Sequence, residues 1–264
     1  MAAFANLKRW KKIFKYSLRS KFIGIDANIY WKFYEWRGGL KEDYLALLPL
    51  FTGNGRTAID AGANFGIYTW HISKYFDYCH AFEPNPHLSA VLQKGFDARF
   101  PGVVIHQVAL SNRADSTILR IPPLNIGYST IEPSNELVGK VSQLEPIDEV
   151  EVECKLLDAY EFEDVGFIKV DVEGHEIEVL EGAEQTIKYS LPSILVEAEE
   201  RHRAGSVESV LKYLRPLGYH RFILDENRRL VEVEQLPRDV PRNFLFLQPT
   251  VAKEIYAKLK HGIP

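Results

Sequence analysis

From residue 57 to residue 249 short apolar runs alternate with helix-like segments, and this alternation narrows the possible folds more than any other feature of the chain. TAID (57–60) reads as a strand and IYTWHISKYF (67–76) as a helix. CHAFEP (79–84) is strand-like, and LSAVLQKGFDARF (88–100) is helical as far as Pro101. VVIHQVAL (103–110) and FIKVD (167–171) are strands, the second followed by the helix EIEVLEGAEQTIK (176–188). SILVEAE (193–199), the helix VESVLKYLRPLG (207–218) and the strands YHRFILD (219–225) and NFLFLQP (243–249) complete the series. Apolar strands alternating with helices predict an α/β fold, a mostly parallel sheet with helices on both faces. The last two strands are separated by a long charged loop without a helix, so they are expected to pair antiparallel. EDYLALLPLF (42–51) predicts one more helix ahead of the series.

The 264 residues, 46% of them hydrophobic, can bury one sizeable core and carry a small extension. The expected division is an extension over 1–40 and a main domain over 41–264. Residues 1–25 contain no acid, and residues 8–21 carry seven Lys and Arg. Leu7, Trp10, Phe14, Leu18 and Phe22 recur at helical spacing, which predicts a basic amphipathic helix. Such a helix suits peripheral contact with an anionic membrane face, or packing on the domain or on a second subunit in a homodimer. The aromatic run Tyr30, Trp31, Phe33, Tyr34 and Trp36 fits either a stacking lid or the apolar face of a helix. A net charge of −4 argues against a nucleic-acid partner. Cys79 and Cys154 have no metal-like spacing and read as packing residues. No apolar run reaches membrane-span length and no signal peptide is visible, so a cytoplasmic protein is expected.

The loop after the first strand raises the question of a ligand. TAIDAGANFGIYTW (57–70) gathers Asp60, Gly62, Asn64 and Gly66 behind a strand. In an open α/β sheet, ligands sit at the carboxyl ends of strands, near the reversal in strand order. Gly62 and Gly66 permit a tight turn and close approach of backbone to ligand. The spacing is not G-x-G-x-x-G, and it lacks the middle glycine that seats a pyrophosphate on a helix N-terminus. A compact cofactor without that phosphate pair is therefore expected. The second strand ends in Glu83-Pro84, where an acid can accept two hydrogen bonds from a ribose diol. Alone, Asp60 could simply cap a helix and Glu83 could be a surface acid; together they point to a nucleoside-bearing cofactor.

AIDAGANFGIYT (58–69), AFEPNP (81–86), VALSNRADS (108–116), LLDAYEFEDVGFIKVDVEGHEIEVLEGA (156–183) and ILVEAEERH (194–202) resemble, in this order, the FkbM-type methyltransferases. The resemblance implies a class I, Rossmann-like methyltransferase fold of seven mostly parallel strands, the last inserted antiparallel beside the sixth. It also implies S-adenosylmethionine as cofactor and methyl transfer to a hydroxyl, on a sugar or glycan (capsule, lipopolysaccharide or glycolipid type) or on a secondary metabolite. By position, Asp60, Gly62, Asn64 and Gly66 match the loop around the methionine moiety, Glu83 the ribose-binding acid, and Ala109, Leu110 and Ser111 the adenine edge. His175 stands where the family often has a small or aromatic residue.

Methyl transfer needs an aligned acceptor oxygen and a route for its proton. Asp171, Glu173 and His175 follow the fourth strand and are the catalytic candidates; the alternative role for the two acids is helix capping. Asp171 and Glu197 could hold Mg²⁺ through oxygen ligands. Otherwise Glu197, Glu199 and Glu200 form a solvated rim, in which Arg201 and Arg203 pair with the acids. His71, His80 and His106 read as packing residues. Two further functions share the strand–loop–acid pattern, an NAD-dependent oxidoreductase and a cofactor-binding subunit without catalysis. The missing G-x-G-x-x-G and the extended EGHEIEVLEGA match argue against the first, and the intact motifs against the second. After the fourth strand comes VEG rather than a loop for a flipped base, against a nucleic-acid methyltransferase.

Overall fold

The computed structural model describes residues 43–53, 55–96, 100–122, 126–137, 146–236 and 242–259. The extension over 1–40, with its basic helix and its aromatic run from Tyr30 to Trp36, lies outside the described residues. The segment read as a first helix divides into a 3-10 turn, Asp43–Leu47, and one α-helical turn, α1 (Leu48–Phe51). Pro49 falls in the first turn of α1, where its missing N–H costs nothing.

Then come β1 (Thr57–Ala61), α2 (Ile67–Ile72), β2 (Tyr78–Phe82), α3 (Pro86–Gly95) and β3 (Val103–His106). The start of α3 is set by Asn85, whose Oδ1 accepts the His87 N–H at 3.0 Å, and by Pro86 at the first helical position. The stretch 103–110, expected as one strand, is divided. β3 stays in the main sheet, while β4 (Ala109–Leu110) joins a second sheet with β5 (Asp115–Ile121) and β6 (Asp148–Lys155), in the order β4-β6-β5. The sequence reading missed β5 and β6. In β6 the period-two signal was present: Val152 and Cys154 are buried, and Glu149, Glu151 and Glu153 alternate with them outward.

The chain returns to the main sheet with β7 (Val165–Val170), then α4 (Glu176–Glu181), α5 (Glu184–Ser190), β8 (Ser193–Glu197) and α6 (Ser206–Leu214). It closes with β9 (His220–Leu224), β10 (Leu230–Glu232), β11 (Asn243–Leu247) and α7 (Pro249–Leu259). The single helix expected over 176–188 is broken between α4 and α5. A Cβ on Gly182 would stand 2.0 Å from the Ser111 carbonyl oxygen, so only glycine lets this turn rest on the chain after β4.

The main sheet has the order β10-β9-β11-β8-β7-β1-β2-β3. β3, β2, β1, β7 and β8 pair in parallel, and β11 runs antiparallel between β8 and β9, as expected. The count is eight rather than seven, because three residues of the charged loop form β10 on the outer edge of β9. Both faces of the sheet are apolar. Ile59, Ile168, Ile194, Val196, Phe244 and Phe246 pack toward α4, α5 and α6. Ala58, Phe167, Leu195, Leu245 and Leu247 pack toward α1, α2 and α7. This is why the central strands read as continuous apolar runs. Cys79 and Cys154 are buried and unpaired with each other. His80 Nδ1 lies 3.0 Å from His106 Nε2, within a group of rings that includes Phe82, Tyr160 and Phe162. Among the described residues no helix is long and apolar enough to cross a membrane.

Candidate functional site

Strand order reverses between β1 and β7, and a cleft opens at the carboxyl ends of the strands there. One wall carries Glu83, Pro84 and Leu88 with Val108, Ala109 and Leu110; the other carries Gly62, Asp171, Val172, Glu173 and His175. Residues 126–137, between β5 and β6, strap across it and contribute Ile126, Gly127, Ser129 and Ile131.

The β1 loop is shaped by backbone requirements. Gly62 has φ +79, and a Cβ there would lie 1.8 Å from the Asp171 carbonyl oxygen. The β1 and β7 loops thus touch through backbone alone. Asn64, at φ 53, donates its N–H to Glu83 Oε2 at 2.7 Å, and Asn85 donates to Glu83 Oε1 at 2.9 Å. Burial pushes the Glu83 carboxyl up to about 7, against the lowering effect of those two bonds. Asn64 Nδ2 donates to the Gly127 carbonyl at 3.1 Å, while its buried Oδ1 has no hydrogen-bond partner.

Asp60 does not line the cleft. It is fully buried beneath the loop, where Oδ2 accepts the Thr69 hydroxyl at 2.6 Å. Its β7 neighbour in register is Lys169, a buried cation. The Lys169 ammonium lies 3.2 Å from Asp171 Oδ2, 3.7 Å from Asp60 Oδ1 and 3.4 Å from the Gly62 carbonyl oxygen. Burial alone would lower the lysine pKa; Asp171, Asp60 and Glu197 outweigh it and hold the group above its usual value.

The β7 loop is strained and braced. Glu173 has φ 56 and Gly174 φ 111. The Glu173 carbonyl accepts from Thr130 Oγ1 at 2.9 Å and from Asn135 Nδ2 at 2.7 Å, both on the strap. Glu173 Oε2 lies 2.9 Å from His202 Nε2, a close contact off the line of a hydrogen bond. His175 is enclosed by protein. Its Nε2 lies 3.0 Å from Ser111 Oγ, and its Nδ1 lies 3.4 Å from Glu132 Oε2 and 3.6 Å from Glu178 Oε2. Burial lowers its pKa, against the pull of Glu178 and Glu132. Arg203 bridges the same two acids, at 2.6 Å from Glu178 and 3.8 Å from Glu132.

Of the residues singled out from sequence, Gly62, Asn64, Glu83, Ala109, Leu110, Asp171, Glu173 and His175 meet at the cleft. Asp60, Gly66, Ser111 and Glu197 stand outside its lining: Gly66 precedes α2 at φ 79, and Ser111 is fully buried against His175. The Asp171–Glu197 pair proposed for Mg²⁺ already faces a cation, Lys169, whose fixed charge opposes a second one there. At the rim Glu199 is ion-paired with Arg201 and Arg242, the plainer alternative for that acid. Metal-type donors also converge in Glu132, His175 and Glu178, with Arg203 paired to both acids. The sequence reading missed Lys169 and the strap. Lys169 had a signal, a lone charge inside the apolar strand VGFIKV. The strap had none, since its residues follow neither helical nor strand periodicity.

Residues 60–221 match the family model of the methyltransferase FkbM domain. Among curated relatives, methyltransferase 1 of Beauveria bassiana (strain ARSEF 2860) is 30% identical over 156 residues, 53% of this chain and 63% of that protein. Methyltransferase sdnD of Sordaria araneosa is 30% identical over 171 residues, 54% of this chain and 66% of that protein. The chain thus spans less than two thirds of either relative. A solved structure of methyltransferase FkbM from Methylobacillus flagellatus KT aligns with a TM-score of 0.48 at 16% identity, over 73% of this chain and 44% of that one.

Proposed function

The chain belongs to the FkbM methyltransferase domain family, and from that premise we propose that it is an S-adenosylmethionine-dependent O-methyltransferase acting on a hydroxyl of a carbohydrate or another hydroxylated metabolite. The observation that carries the cofactor is Glu83. A carboxylate can accept about four hydrogen bonds; protein N–H groups supply two, which leaves acceptor sites on a cleft-lining residue for a ribose diol. The remaining donor set fits as well. Leu88, Val108, Leu110, Ile126 and Ile131 give apolar walls for a purine, Ala109 joins them at its edge, and Asn64 Oδ1 is a buried acceptor awaiting a donor.

S-adenosylmethionine, when bound, supplies a methyl group on a sulfonium. In this scheme the Gly62–Gly66 loop and Asp171 receive its methionine end, and Glu173 accepts the proton of the acceptor hydroxyl. Two observations support Glu173 over its neighbours. Asp171 is paired with the buried cation Lys169 and both ring nitrogens of His175 face protein groups, whereas Glu173 lines the cleft with His202 Nε2 2.9 Å from its Oε2. His175 then serves to join Ser111, the strap and α4. Calorimetry against S-adenosylmethionine and NAD tests the first step, and transfer of labelled methyl to a panel of methyl glycosides and polyols tests the second. Binding of NAD without binding of S-adenosylmethionine would overturn the reading.

Glu83 makes the binding pH-dependent. Its pKa in the folded protein is raised to about 7, so below that pH the carboxyl is mainly protonated and has fewer acceptor sites for the ribose. Affinity for S-adenosylmethionine should therefore rise with pH up to about 7, by up to about tenfold per unit in the steep region, and level off above it. Glu83→Ala should weaken binding by about 1–3 kcal/mol at pH 8 and flatten the profile. A wild-type affinity that is level from about pH 5 to 8 would remove Glu83 from the site.

For the N-terminal extension the proposal is contact with an anionic membrane surface, each basic residue contributing about 1 kcal/mol near it. The full chain should sediment with anionic vesicles and release in high salt, and a chain starting near residue 25 should stay in solution. Equal behaviour of the two would assign the segment to packing or dimerisation.

A further inference from the structure

Lys169 is the lone charged residue of β7, and its side chain is 5% exposed. Burying an ammonium in a sheet is costly, and an aliphatic side chain there would pack without that cost. The contacts of this lysine do not belong to general packing. Its nitrogen collects Asp171 Oδ2 at 3.2 Å, the Gly62 carbonyl at 3.4 Å and Asp60 Oδ1 at 3.7 Å, and it lies 4.9 Å from the centre of the Tyr68 ring. Two of these partners, Gly62 and Asp171, line one end of the cleft. The other end, with Glu83, Pro84 and Leu88, makes none of these contacts, and the lysine acts on Glu83 only through its charge at longer range, the last of the influences on that carboxyl. Gly62 and Asp171 belong to different loops that already meet backbone to backbone, so one buried cation ties both loops behind the surface that a ligand would touch.

We propose that Lys169 is the positioning residue for the amino-acid end of the cofactor: it holds the Asp171 carboxylate and the Gly62 backbone in place to receive that end and makes no contact at the nucleoside end. The proposal rests on the reading of the cleft as an S-adenosylmethionine site. Lys169 touches nothing in the cleft itself. It acts through Asp171, whose side chain is one quarter exposed there, and through the carbonyl of Gly62. Without Lys169, Asp171 loses its anchor, and Asp60 is left fully buried without its cationic neighbour.

The test divides the cofactor into its two ends. Wild type, Lys169→Met and Lys169→Arg are titrated by calorimetry with S-adenosylmethionine and, separately, with adenosine, which carries only the nucleoside end. Lys169→Met should lose about 10–100-fold in affinity for S-adenosylmethionine and change less than about twofold for adenosine. Lys169→Arg should recover part of the loss. Should Lys169→Met fail to fold, Lys169→Gln carries the same test, since it removes the charge and leaves Asp171, the group the cofactor would touch, unchanged. An equal loss for both ligands, or no loss for either, overturns the proposal. Wild-type protein that binds neither ligand overturns the cofactor reading itself, and this proposal with it.

Discussion

Glu173→Gln is expected to lower methyl-transfer turnover by roughly 10²–10⁴-fold, the range for loss of a general base, with S-adenosylmethionine affinity within about twofold of wild type. Glutamine keeps the size and shape of the side chain, so the strained turn at Glu173 and Gly174 and its two braces from Thr130 and Asn135 should persist. What is lost is the negative charge beside His202 and the capacity to take a proton. Backbone strain of this kind is kept only where surrounding contacts enforce it, and it recurs at functional sites. Asp171→Asn should instead act mainly on cofactor affinity. The measurement is label transfer to the best acceptor of the glycoside and polyol panel, with affinity read in parallel by calorimetry. Full turnover by Glu173→Gln would take the base role away from this residue.

Gly62→Ala should be the most damaging glycine-to-alanine change among the described residues, with a stability loss on the order of 3–5 kcal/mol. Two costs add. An L-residue at φ +79 pays about 1–2 kcal/mol for the left-handed conformation. The new Cβ would also lie 1.8 Å from the Asp171 carbonyl oxygen, which is backbone and cannot rotate away. The β1 and β7 loops would have to separate, breaking the Asp171 N–H bond to the Ala61 carbonyl. Denaturant unfolding with far-ultraviolet circular dichroism checks this. Gly53→Ala is the control, since nothing lies within 4 Å of a Cβ placed there. A Gly62→Ala protein within about 1 kcal/mol of wild type would show that the loops part easily.

The parallel α/β order was legible because the central strands are buried on both sides. β8 sends Ile194 and Val196 to one helical layer and Leu195 to the other, so apolar side chains recur without a break. Asp60, Gly62, Asn64 and Gly66 were legible as one loop since they are adjacent in the chain, although only Gly62 and Asn64 reach the cleft lining. The antiparallel entry of β11 followed from the missing helix in the loop before it. By contrast, 103–110 looked like one strand, because apolar composition does not record that the chain changes sheets after His106. The break between α4 and α5 was hidden for a related reason: Gly182 is required by a carbonyl some seventy residues earlier in the chain, that of Ser111.

The division falls between local and non-local causes. Periodicity, turn residues and strand-end acids are effects of neighbours along the chain, and they sufficed for the class of fold, the position of the cleft and the place of Glu83. The partners of each ionisable side chain were decided by tertiary structure, because the sheet order brings β7 beside β1 and the strap over both. Lys169 meets Asp60 more than a hundred residues away in sequence, and burial of the lysine between Asp60 and Asp171, two residues on from it, makes Asp171 half of an ion pair. His175, a plausible base by position, is enclosed by Ser111, Glu132 and Glu178. A side chain's chemistry depends on which charges stand within a few ångströms of it, and chain spacing carries no record of those distances.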